Sequence, residues 1–173
     1  FFLMISSLVE GESIIRNAAM EPEIISLAEM LNKMGAKIKG YGTSKIVIKG
    51  CSKLKGTDIT IPSDRIEAGT FALAVTATGG KLKLKSINIK EIETLKNVLQ
   101  NTDVEIKSLE NSIEIIKKNK IIHPTDIETK PYPGFPTDLQ AQFMALMAYS
   151  NGKSKIKETI FENRFMHVQE LVR

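Results

Sequence analysis

Three segments of the chain repeat one order of elements: an apolar helix-like run, a small-residue turn, then a strand-like run. They are FFLMISSLVEGESIIRNA, TFALAVTATGGKLKLKSI and DLQAQFMALMAYSNGKSKIKET, with turn glycines at Gly11, Gly80 and Gly152, 69 and 72 residues apart. A period of about 70 residues is too long for a solenoid repeat and predicts a duplicated supersecondary unit.

Each of the first two copies continues in the same way. EPEIISLAEMLNKMG has Pro22 near its start, Gly35 just past its end, and Ile24, Leu27, Ala28, Leu31 and Met34 spaced along one helical face. AKIKGYGTSKIVIKG then reads as a hairpin. The second copy offers IKEIETLKNVLQNTD as helix and VEIKSLENSIEIIKK as a hairpin turning near Glu110 and Asn111. The third reaches a helix-like ENRFMHVQELVR. The unit is therefore βαβαββ-like, an α/β (α+β) class.

The helices before the strands are apolar on nearly every side, as in FMALMA, which predicts burial all round. The strands alternate, as in Lys81, Leu82, Lys83, Leu84, Lys85, which predicts one wet face. Sheets are expected outside and helices inside. The chain opens inside a helix without an initiator Met, so an internal piece of something longer is expected.

Composition removes several function classes. Lys and Arg number 24 against 20 Asp and Glu, and the only arginines are Arg16, Arg65, Arg164 and Arg173. A Lys surplus spread along the whole chain argues against a dedicated nucleic-acid surface, which clusters its cations and interleaves aromatics. It suits a polyanionic small substrate. FFLMISSLV, FALAV and FMALMAY fall short of the ~20 apolar residues of a membrane helix. FFLMISSLV also lacks the basic segment and cleavage site of a signal peptide. A single cysteine, Cys51, excludes an internal disulfide and fits a reducing compartment, so the cytoplasm is expected.

Few residues offer chemistry by themselves. Cys51 follows a strand with no nearby His and no helix start to activate it, so it reads as structural. His123 and His167 stand 44 residues apart without further ligands at metal spacing. The GxG of GYGTSKIVIKG joins two strands and offers no helix-start amides to a phosphate. Asp64 with Glu67, and Thr137 with Gln140, have capping-box spacing. Asp138, in YPGFPTDLQAQF, accordingly reads either as a first-turn carboxylate favoured by the helix dipole or as a functional acid. Arg164, in ENRFMH, reads either as a surface ion-pair partner or as a planar grip on carboxylate or phosphate.

Three strings then act together: NAAMEPEIISLAEMLNKMGAKIKGYGT, IPSDRIEAGTF and PGFPTDLQAQFMALM with ETIFENRFMHVQEL. With them the chain, over essentially its whole length, resembles the EPSP synthase-like enolpyruvyl transferase family, in the branch that acts on UDP-N-acetylglucosamine. The resemblance implies two inside-out α/β barrel lobes of three βαβαββ units each. Residues 1–61 would finish one lobe and 62–173 begin the other. It implies transfer of enolpyruvyl from phosphoenolpyruvate to the 3-hydroxyl of UDP-N-acetylglucosamine, with phosphate released through a tetrahedral intermediate, as the first committed step of peptidoglycan synthesis. No metal and no organic cofactor are expected, and the full-length enzyme is expected to be a monomer.

By resemblance, Asp138 ends the family's FPTD motif and holds the sugar near its reacting hydroxyl, with a proposed role as base. Carboxylates are weak bases toward a sugar hydroxyl, so positioning weighs more than proton transfer. Ile160 matches a position whose backbone contacts the nucleotide, and Arg164 an active-site arginine. Glu21, Asp64 and Arg65 match polar residues between the lobes. The family's reactive cysteine lies on a loop upstream of the matched region, so that role does not pass to Cys51. The residues that grip phosphoenolpyruvate also lie outside the match, and the 173 residues alone are expected to be inactive. A non-catalytic relative, or a transferase of the EPSP synthase type, is the alternative. The substrate-binding reading expects Asp138 and Ile160 to converge on one open face.

Overall fold

The computed structural model describes residues 1–173, which form two compact units, Phe1–Pro62 and Ser63–Arg173.

The first unit runs α1 (Phe2–Ser6), β1 (Glu12–Arg16), α2 (Pro22–Lys33), β2 (Lys37–Lys39) and β3 (Lys45–Lys49). Pro22 sits at the start of α2, where its missing N–H costs nothing. Past the helix end, Gly35 takes φ +110°, a conformation that side chains resist. The Asn32 side chain then ties α2 to β2: it accepts from Ile38 N–H at 2.7 Å and donates to Ile38 C=O at 3.0 Å. The antiparallel sheet has the order β1-β3-β2. Ala28 and Leu31 of α2 meet Ile38, Ile46 and Ile48 on its inner face.

The second unit repeats this plan with α3 (Arg65–Thr78), β4 (Gly80–Lys85), α4 (Glu93–Leu99), β5 (Val104–Leu109) and β6 (Ser112–Lys117). Its antiparallel sheet is ordered β4-β6-β5, so the last strand is again central. The duplication read from the glycine spacing is present as a repeated strand order. The β5–β6 turn falls at Glu110 and Asn111. On the wet face, Lys81 bridges Glu114 at 2.8 Å, and that ammonium holds the Glu114 carboxyl below its ordinary range.

A third set follows: β7 (Ile127–Glu128), a 3-10 turn (Thr137–Leu139), α5 (Gln140–Met147), β8 (Ile156–Lys157) and α6 (Val168–Val172). β7 and β8 pair in parallel, so 137–147 forms the crossover between them. The core of this unit gathers Ala72 and Leu73 of α3, Leu95 and Leu99 of α4, Ile113 and Ile115 of β6, and Leu139, Phe143 and Leu146 around α5. α3 approaches the 3-10 turn and α4 closely because residue 69 is glycine. A Cβ there would lie 2.5 Å from Leu139 Cδ1.

Several expectations need correction. α3 is not buried all round: Phe71 is 50% exposed, because the sheet and α5 cover only one side of the helix. The helix expected over 89–103 is broken into a 3-10 turn (Ile89–Ile92), α4, and a second 3-10 turn (Gln100–Thr102). The Asn88 side chain caps the first turn through Lys90 N–H, and left-handed Asp103 ends the last. ENRFMHVQELVR is helical only over Val168–Val172, and the third strand only over Ile156–Lys157. Lys117, at the end of β6, is 3% exposed. Its ammonium donates to the Thr102 and Ile121 carbonyls, and burial lowers its pKa from the ordinary value. No closed barrel is formed by these sheets.

Candidate functional site

The site lies in the second unit and begins with the YPGFP turn. Lys130 N–H bonds Phe135 C=O at 3.0 Å and Gly134 N–H bonds Pro131 C=O at 2.8 Å, closing a tight loop. A Cβ on Gly134 would come within 2.4 Å of Lys130 Cβ, so the loop needs glycine there. Phe135 points inward and meets Phe143 of α5 edge to face at 5.5 Å. The turn is also held from α4, whose Thr94 hydroxyl donates to Pro133 C=O at 2.6 Å. Together these fix the point at which the chain enters the 3-10 turn carrying Asp138.

Asp138 does not cap a helix. It lies inside the 3-10 turn, α5 starts only at Gln140, and neither start has a side-chain cap. The carboxylate instead accepts from Arg164 Nη2 at 2.7 Å, with 57% of the Asp138 side chain and 36% of the Arg164 side chain exposed. The Arg164 guanidinium also lies over the Phe161 ring at 5.2 Å. The capping box expected from Thr137 and Gln140 is absent. Thr137 donates its hydroxyl to Glu158, and Gln140 is fully buried with neither amide atom hydrogen-bonded.

Glu158, just beyond β8, is the residue that sequence reasoning missed. Its Oε1 accepts from Thr129 Oγ1 at 2.8 Å, Ile160 N–H at 2.8 Å and Phe161 N–H at 3.2 Å; its Oε2 accepts from Thr137 Oγ1 at 2.8 Å. Burial pushes this carboxyl up, but the four hydrogen bonds outweigh it and hold the group below the ordinary carboxylate range. Ile160 is thereby fastened to the carboxylate that also holds the neighbour of Asp138. Its N–H is taken by that bond.

Beside this cluster, Glu128 accepts from Lys157 at 2.7 Å and Lys130 at 3.0 Å, and those bonds hold its pKa at about 2. On the α4 side of the turn, Arg65, Thr94, Tyr132, Gly134 and Leu139 line a pocket of about 260 Å³. Arg65 stands over the Tyr132 ring at 5.6 Å.

The other expected residues have plainer surroundings. Asp64 caps α3, its Oδ1 accepting from Ile66 N–H at 2.8 Å and Glu67 N–H at 3.0 Å. Glu21 precedes α2 in the first unit without capping it, and its Oε2 is buried without a hydrogen-bond partner. The Cys51 amide donates to Ser7 C=O at 3.0 Å, in keeping with a structural role. His123 pairs with Asp103 at 3.4 Å. No group of three or more His, Cys, Asp or Glu side chains is arranged to hold a metal. No helix is long and apolar enough to cross a membrane.

Comparison with known proteins gives consistent results. A family model described as EPSP synthase (3-phosphoshikimate 1-carboxyvinyltransferase) matches residues 1–173. The UDP-N-acetylglucosamine 1-carboxyvinyltransferase of Methylorubrum populi is 51% identical over 171 residues, 99% of this chain and 40% of the relative. The protein of the same name from a Chelativorans species is 52% identical over the same coverage. The chain thus spans 40% of the length of these curated relatives. Among solved structures, the enolpyruvyl transferase NikO from Streptomyces tendae matches 98% of this chain and 41% of its own with a TM-score of 0.85 at 21% identity. An EPSP synthase from Acinetobacter baumannii matches 97% of this chain and 40% of its own, with a TM-score of 0.58 at 20% identity. At such identities the structural likeness shows a shared mixed α/β fold.

Proposed function

The chain belongs to the EPSP synthase family, and from that premise we propose that it forms part of an enzyme that transfers enolpyruvyl from phosphoenolpyruvate to the 3-hydroxyl of UDP-N-acetylglucosamine. The observation that carries this reading is the 51% identity, over 171 residues, to a protein named for that activity. The first unit would complete one inside-out lobe and the second begin another, with sheets outward and helices inward. The repeated strand order, β1-β3-β2 and β4-β6-β5, supports that assignment. The reaction would serve peptidoglycan precursor synthesis in the cytoplasm.

The geometry supports distinct roles for the site residues. Asp138 offers an exposed carboxylate on a turn anchored by buried Leu139 and Phe135, suited to accept a hydrogen bond from the sugar hydroxyl that must be oriented. Arg164, already paired with that carboxylate, supplies a cation beside the reacting hydroxyl. Ile160 C=O is suited to accept a nucleobase N–H. In the reaction the hydroxyl gives up its proton as its oxygen bonds to C2 of phosphoenolpyruvate, while C3 gains a proton. The tetrahedral adduct then loses phosphate from C2 and a proton from C3.

The test uses the complete gene product. Phosphate release from phosphoenolpyruvate should require UDP-N-acetylglucosamine and give the enolpyruvyl ether by mass. Asp138→Asn should lower kcat/KM by about 100-fold. No UDP-N-acetylglucosamine-dependent release, or a preference for 3-phosphoshikimate as acceptor, would overturn the reading.

A further inference from the structure

Resting on the function proposed above, we propose that Glu158 is a positioning residue for the UDP-sugar: its carboxylate holds the turn carrying Asp138 and the loop carrying Ile160 and Arg164 in one geometry. Three segments end on this one side chain, two of them 29 and 21 residues away in sequence. They are the end of β7 through Thr129, the 3-10 turn through Thr137, and the loop after β8 through Ile160 and Phe161.

The connection is a closed ring. Thr137 is bonded to Glu158 and is the chain neighbour of Asp138, Asp138 is bonded to Arg164, and Arg164 lies over Phe161, whose N–H returns to Glu158. Opening the ring at Glu158 releases both the sugar-facing acid and the nucleotide-facing backbone. The anchor under the ring is rigid. Thr129 is fully buried, its N–H pairs with Lys157 C=O at 2.9 Å, and its hydroxyl accepts from Thr159 N–H at 2.9 Å while donating to Glu158.

Only an acceptor-rich side chain of this length can meet four donors approaching from opposite sides. Aspartate is one methylene too short to reach both the loop amides and Thr137. Glutamine can keep the arrangement. Its Oε1 takes the three donors on one side, and its amide N–H turns to Thr137 Oγ1, which then acts as acceptor. The role therefore depends on shape and acceptor placement, and the charge adds strength.

In the full-length protein, Glu158→Ala should raise KM for UDP-N-acetylglucosamine about tenfold while KM for phosphoenolpyruvate stays within about twofold. Glu158→Gln should return the UDP-sugar KM to within about threefold of wild type. Thr137→Val, which removes only the Oε2 bond, should shift the same KM in the same direction, and it decides the matter if Glu158→Ala does not fold. An active wild type whose UDP-sugar KM is unmoved by these variants, or in which both substrates' KM values rise together, would overturn the inference while leaving the function standing. A wild type without UDP-N-acetylglucosamine-dependent turnover would overturn both.

Discussion

Replacing Gly69 by alanine probes the contact on which the position of Asp138 depends. The added methyl would sit 2.5 Å from Leu139 Cδ1, 3.1 Å from Leu139 Cδ2 and 3.2 Å from Leu95 Cδ2. Carbon atoms in good contact are ~3.5–4.0 Å apart, so the Leu139 side chain must retreat by about 1 Å. Leu139 is 2% exposed and enclosed by the core, so that retreat pushes on other buried groups. Overpacking of this kind costs ~1–3 kcal/mol, and the clash here argues for the upper end. Alanine recovers about 1 kcal/mol of helix propensity, which leaves a net loss of about 2 kcal/mol. For a chain of 173 residues that lowers Tm by about 4–8 °C. Thermal unfolding followed by circular dichroism measures it, with Gly56→Ala as control, because a Cβ at residue 56 meets nothing within 4 Å. A Gly69→Ala Tm equal to or above wild type would refute the view that Leu139, in the 3-10 turn, is held fixed against α3.

Two further outcomes follow from the charged groups around the site. Glu128, held at about 2 against an ordinary 4.5, contributes stability that is complete above 4.5 and is lost as pH falls toward 2. Glu128→Gln should therefore lower Tm by at most a few degrees at pH 7, with the difference closing near pH 2 and shrinking in high salt; a pH-independent difference would contradict the ion-pair account. Arg164→Met should change stability by about 0.5 kcal/mol or less, since an exposed pair contributes little, yet raise KM for UDP-N-acetylglucosamine severalfold in the full-length protein. A lower Tm with unchanged kinetics would assign that pair to the fold alone.

The parts of the fold readable in the sequence are those set by neighbours within a few residues. Pro22 and Gly35 bracket α2 because a missing N–H and a positive φ are local properties. Alternation in Lys81–Lys85 marks the wet face of β4 because side chains on a strand point to opposite sides. The third set of elements was harder because its order comes from distant partners. Glu158 reaches Thr129 and Thr137 across 29 and 21 residues of chain, and nothing in KETIF marks that glutamate as more than a surface acid. Lys117 hid for the same reason, since its carbonyl partners are supplied by the preceding 3-10 turn and the following loop.

The two aspartates at Asp64 and Asp138 show where local reasoning stops. Both stand at the start of apolar helical runs, Asp64 capping-box spaced with Glu67 and Asp138 just after Thr137, which is so spaced with Gln140, and local reasoning reads each as part of a helix start. At Asp64 the rule holds, and Oδ1 is committed to two backbone N–H groups at the start of α3. At Asp138 the preceding Thr137 hydroxyl is drawn to Glu158, and the chain passes through a 3-10 turn before Leu139, at φ −105° and ψ 0°, begins α5. The Asp138 carboxylate is therefore not used by the helix, and its hydrogen bond goes to Arg164 instead. A carboxylate committed to a cap is a poor candidate for binding, because a ligand would have to displace backbone donors. One held by a single exposed arginine can exchange part of that bond for a sugar hydroxyl at little cost. What separates a carboxylate committed to a cap from an available one here is thus the direction of Thr137, set by a glutamate 21 residues farther along the chain.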